Sequence, residues 1–123
     1  MEEYIILMRL DLITREAQPS PEQLQVYMQQ YQQWVDGIIA AGKFAGGKGL
    51  STEGKVIRFG RVVTDGPFAE VKESIAGFIT IRAVNFDDAV KIGAACPILG
   101  GEGNSVEVRR IVAHEQRKET QPS

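Results

Sequence analysis

The stretch IAGFITIRAV, residues 75 to 84, is β-branched or apolar almost throughout. It splits into two alternating sets, Ile75, Gly77, Ile79, Ile81 and Ala83 against Ala76, Phe78, Thr80, Arg82 and Val84. Such a run reads as a strand, because branched side chains suit a pleated surface and successive residues point to opposite faces. Both faces carry apolar side chains. YIILMRL, Tyr4 to Leu10, has the same character, with Tyr4, Ile6, Met8 and Leu10 on one side and Ile5, Leu7 and Arg9 on the other. Strands that are apolar on both faces need cover on both.

Outward from these two strands, Ser20-Pro21-Glu22-Gln23 combines an N-cap serine, a proline at the first helical position and a glutamine at the capping-box position. From there Leu24, Tyr27, Met28, Tyr31, Trp34, Val35, Ile38 and Ile39 recur at three- and four-residue steps, while Gln25, Gln29, Gln30, Gln32 and Gln33 fill the opposite side. This spacing predicts an amphipathic helix that stops near Gly42. Asn85-Phe86-Asp87-Asp88 caps a second helix running to about Ala95 and closed by Cys96-Pro97. Between them, glycine-rich Phe44 to Leu50 and Val56 to Val63, interrupted by Gly60, predict a short strand and a hairpin, with Ser51 to Lys55 as the turn. Gly100 to Asn104 is a turn and Ser105 to Val112 the last strand.

The order is β-α-β-β-α-β with an extra hairpin in the middle. It is the split βαβ or ferredoxin-like plan of α+β proteins, an antiparallel sheet with both helices on one face. One domain over residues 1–114 accounts for this pattern, and residues 115–123 read as a polar tail. Two helices cover only one face of the sheet. The economical cover for the other is a second copy, so the expected state is a homodimer packed sheet face to sheet face.

Charge and composition narrow the function. Fourteen basic and sixteen acidic side chains give a net charge of -2, which provides no field to attract nucleic acid. No apolar run is long enough to span a membrane, and Met1-Glu2-Glu3 lacks the basic start of a signal peptide, so the expected location is the cytoplasm. With one cysteine, Cys96, and one histidine, His114, neither a disulfide framework nor a metal site is expected. Cys96 precedes a proline at a helix end and reads as packing, and His114 as a surface residue beyond the last strand. Gly49 to Lys55 approaches the phosphate-binding loop pattern, but Val56 stands where a hydroxyl is required and a strand follows where a helix is required.

Asp65-Gly66-Pro67-Phe68-Ala69-Glu70-Val71-Lys72-Glu73 marks an ordered reversal, because glycine permits unusual dihedrals, proline fixes its own and the phenylalanine plugs a core edge. Its ionisable residues, Asp65, Glu70, Lys72 and Glu73, are grouped so that a carboxylate and a lysine would stand over a cleft. The stretch resembles the DGPF family of YCII-related domains, whose pattern DGPF-x-E-T-K-E it matches with Val71 in place of threonine. Gly46-Gly47 with Leu50, Cys96-Pro97 and Val106-Glu107-Val108-Arg109 are similar to the family's other signatures. The resemblance implies a dimeric α+β barrel with an acid-base site in the intersubunit cleft, at which Asp65 would be the catalytic aspartate. The histidine that the wider superfamily pairs with it is absent. It also implies an association with alternative sigma factors. Haem- and quinone-handling monooxygenases share the barrel plan, but without an internal histidine only a cofactor-free version fits, and no cofactor is expected.

Two functions remain. In the first, Ile5, Leu7 and Arg9 share the helix-free face with Phe78, Thr80 and Arg82 and with Glu107, Arg109 and Ile111, so that three arginines meet among apolar side chains. Arg9, Arg82, Arg109, Phe78, Glu70 and Lys72 would then bind a small anion, with Asp65 as acid or base. In the second, the arginines pair internally with Glu107, Asp65 or Glu70. The protein is then a non-catalytic dimeric sensor or interaction module, with a sigma factor as partner.

Overall fold

The computed structural model describes residues 1–10, 20–51, 53–66 and 75–112. Chain order is β1 (Glu2–Arg9), α1 (Pro21–Ala40), β2 (Phe44–Gly49), β3 (Gly54–Arg58), β4 (Val62–Gly66), β5 (Ile75–Ala83), α2 (Phe86–Ala94) and β6 (Ser105–Arg110). Among the described residues four strands form one antiparallel sheet in the order β2-β5-β1-β6, while β3 and β4 pair with each other in a second, two-stranded sheet. This is the ferredoxin-like α+β plan with the hairpin inserted between its second and third strands. Glu70, Lys72, His114 and the tail 115–123 lie outside the described residues.

The local signals explain the elements. The Ser20 hydroxyl accepts the Gln23 N–H at 3.1 Å and the Gln23 side chain accepts the Ser20 N–H at 2.8 Å, which satisfies donors that a helix start leaves orphaned. Asn85 caps α2 by accepting the Asp88 N–H at 2.9 Å. Asp88 in turn accepts the Val84 N–H at 3.0 Å and the Lys43 ammonium at 2.9 Å, which ties the start of α2 to the residue before β2. The Lys43 hydrogen bond and the Val84 N–H hold the Asp88 carboxyl below its ordinary range.

One set of each central strand makes the core. Tyr4, Ile6 and Met8 of β1 and Ile79, Ile81 and Ala83 of β5 are buried together with Ile38 of α1, Ala89 of α2, Cys96 and Ile98. Gly93 lets α2 come close to the sheet: a Cβ there would lie 2.9 Å from Val108 Cγ2. On α1, Tyr27, Tyr31, Trp34 and Ile38 form the stripe that meets this core. Leu24, Met28 and Ile39, expected on the same apolar side, are about half exposed. A helix lying on a sheet buries one narrow stripe, and these three stand beside it. Burial, with smaller contributions from Cys96 and Tyr31, pushes the Tyr27 hydroxyl up to about 12. Burial also raises the Cys96 thiol, which suits packing and not nucleophilic attack.

The middle hairpin differs from the expected one. Its turn is Phe59–Arg61, and Gly54 and Lys55, placed in the turn from sequence, begin β3. Pairing of Ile57 with Val63 and of Arg58 with Val62 needs a reversal midway, where Gly60 at φ 81° and Arg61 at φ 62° supply left-handed backbone.

The Trp34 ring packs on the core and its indole N–H donates to the Ile92 carbonyl at 3.0 Å, so it links α1 to α2. Trp34→Ala should therefore cost about 3 kcal/mol in lost packing and one lost hydrogen bond between the helices. Gln33→Ala, at an exposed position, should cost almost nothing. Denaturant midpoints of the two variants check this, and similar small shifts would show that α1 is rotated from the phase described.

Candidate functional site

On the face of the sheet away from the helices, the register sets the residues in rows. Ile5 stands between Thr80 and Arg109, and Leu7 between Phe78 and Glu107. Glu3 stands opposite Arg82, and Arg9 opposite Ser105. Across β5, Thr80 meets Gly46 and Phe78 meets Lys48. Since cross-strand partners share a face, Ile5, Leu7, Phe78 and Thr80 form a central patch with charged groups around it. The four are only part-buried, and neither helix lies over them.

The charges differ in how firmly they are held. Arg9, 26% exposed, donates to Glu107 at 2.8 Å. The same carboxylate lies 4.0 Å from Arg109, which is 70% exposed, and Arg82 is 3.9 Å from its cross-strand partner Glu3. The Arg9 hydrogen bond, against a smaller desolvation effect, holds the Glu107 carboxyl below its ordinary range, aided by the charges of Arg9 and Arg109. Arg9–Glu107 is thus a formed hydrogen-bonded pair, whereas Arg82 and Arg109 sit at the outer limit of ion-pair distance.

The structure brings Arg9, Arg82, Arg109 and Phe78 onto one face. It places Asp65 on β4, opposite Lys55 on the two-stranded sheet, and so on a different sheet from the arginines. Lys48, Glu3 and Thr80 are members of the face that were not singled out as site residues. Lys48 was hidden because it sits in Ala-Gly-Gly-Lys-Gly, where glycines and the irregular register between Phe44 and Gly46 erase the alternation that reveals a face. A concavity of about 350 Å³ lies on the helical side beside Trp34, Gly37, Ala41, Lys43 and Ile92, away from the three arginines.

The depressed Glu107 carboxyl gives a pH test. Its charged form is favoured in the folded state, so the pair's contribution is present above the ordinary carboxylate pKa and is lost as pH falls through the depressed folded value. Glu107→Gln should lower the melting temperature at neutral pH, and the gap from the unsubstituted protein should narrow as the pH falls below the ordinary carboxylate range. A gap that stays constant over that range would remove the Arg9–Glu107 pair from the account of stability.

The profile of the YCII-related domain matches residues 8–114, from the end of β1 through β6 to beyond the last strand. No curated protein matches the chain. A match over most of the sequence, on a fold with this strand order, is decisive at the level of the family: the chain belongs to the YCII-related domain family.

Proposed function

We propose that this chain is a DGPF-type member of the family that encloses a small anion with an apolar body between the helix-free faces of two copies, with Asp65 as the acid or base acting on it. One observation carries the reading. Among the described residues of the four strands, the open face carries the cations Arg9, Arg82, Arg109 and Lys48 and the carboxylates Glu3 and Glu107, in a chain whose net charge is -2. Local positive excess around Ile5, Leu7, Phe78 and Thr80 suits an anion with an aromatic or aliphatic body. Arg82 and Arg109, loosely held, are the capture groups, since exchanging a 3.9 to 4.0 Å pair for a ligand carboxylate loses little. An aspartate working near neutral pH without a histidine needs a raised pKa, which closure of the cleft would supply by excluding water.

A second reading, a non-catalytic dimeric sensor or interaction module with a sigma factor as partner, draws on the Arg9–Glu107 bond, because an arginine already satisfied by a carboxylate needs no ligand. The two readings separate by measurement. Benzoate, salicylate and inorganic phosphate are titrated against thermal unfolding. The site reading expects benzoate or salicylate to raise the melting temperature more than phosphate does, with up to ~2.7 kcal/mol of stabilisation at a hundredfold excess over Kd. Arg82→Gln and Lys48→Gln should each reduce that response. Asp65→Asn should leave stability unchanged or higher. If no anion shifts the transition and Asp65→Asn is destabilised, the charges serve structure and the module reading stands.

A further inference from the structure

Among the described residues, the β3–β4 hairpin gives none to the core and pairs with no strand of the main sheet. Ile57 and Val63 stand opposite one another on it, 70% and 57% exposed, and Phe59 at its turn is 103% exposed. A two-stranded hairpin alone is marginal in water, and an uncovered strip of branched and aromatic side chains marks a surface that is buried against something.

The area of the open face of the main sheet bears on what covers it. Four strands about 4.8 Å apart and roughly six residues long make a patch of about 400 Å². A stable dimer buries about 800 Å² on each partner. The open face alone falls short, and the same chain carries a second uncovered apolar surface. Connectivity places the two together, because β3 follows β2 and β4 precedes β5, the neighbouring strands at one side of that face. In a two-fold assembly the two hairpins, each reaching the other copy, make two identical contacts and close, with no free surface left to propagate a chain.

We propose that the hairpin is an arm that packs Ile57, Phe59 and Val63 against a second copy of this chain, so that each open-face site is completed by its partner's arm. This rests on the two-copy reading above and deepens it. Asp65 lies two residues beyond Val63 on β4, so the arm also carries the aspartate to the arginines of the other subunit. Its position on a separate sheet from Arg9, Arg82 and Arg109 within one chain then follows from its acting across the interface.

Sedimentation equilibrium of the unsubstituted protein and of an Ile57→Thr/Phe59→Ser variant tests the arm, with circular dichroism and Trp34 fluorescence reporting the fold. Both substitutions fall on exposed residues outside the core, so the spectra should not change while the dimer dissociation constant rises at least tenfold. A Phe59→Cys variant labelled with a maleimide gives a second measurement, since the native Cys96 is buried. Labelling should slow as protein concentration rises through the dimer range. Unchanged dimer affinity, or labelling independent of concentration in a protein that does dimerise, overturns the arm and leaves the two-copy reading standing. A protein of one-subunit mass at micromolar concentration overturns both.

Discussion

The pairing of β1 with β5 is the constraint on which the rest depends. These two strands lie side by side at the centre of the sheet, and each is apolar on both faces. Register then decides everything that a side chain can do. Tyr4, Ile6, Ile79 and Ile81 are committed to the helices, and Ile5, Leu7, Phe78 and Thr80 are committed to the opposite side. A slip of one residue would exchange the two sets and send Arg9 and Arg82 into the core, where an unpaired guanidinium is very costly. The arginines therefore help to fix the register as well as to charge the open face.

Much of the fold could be read in advance because its signals are local. The capping box at Ser20, the Asn85 cap and the alternation in residues 4–10 and 75–84 each involve near neighbours, and each forms as expected. The hairpin was misplaced because it stabilises itself by cross-strand pairs, Ile57 with Val63 and Val56 with Thr64, whose partners are separated by a turn of unspecific composition. Ser51-Thr52-Glu53-Gly54 has better turn chemistry than Phe59-Gly60-Arg61 on composition alone. The exposure of Leu24, Met28 and Ile39 was hidden for a related reason, since periodicity identifies an apolar arc and only the packed sheet decides which part of it is buried.

The candidate site was legible in part. Alternation along single strands was enough to place Arg9, Phe78, Arg82 and Arg109 on a common face, because period-two patterns need no knowledge of the neighbours. Lys48 and Glu3 required the registers of β2 with β5 and of β1 with β5, which are long-range facts. Asp65 is the instructive case. A motif read along the chain associates it with the arginines, while the topology puts it on a different sheet. Sequence proximity to β5 carries no information about which sheet a residue joins.

The unequal hold on the three arginines connects stability to function. A guanidinium bonded at 2.8 Å and three-quarters covered, as Arg9 is, has surrendered most of its hydration to Glu107, and a ligand would have to replace that bond in full. Arg109, sharing the same carboxylate at 4.0 Å and largely in water, has surrendered little. Arg9 thus fixes the position of Glu107 and thereby limits where Arg109 finds its nearest counter-charge. Among the described residues one carboxylate stands between two guanidinium groups at this corner of the face, and Lys48 adds positive charge from the far strand. If a second copy covers this face, water that screens that charge is displaced, and the field at the apolar centre strengthens. Closing the interface and creating affinity for an anion are then the same physical event, and a residue brought in by the other copy, such as Asp65, would meet its ligand only after the cover was in place.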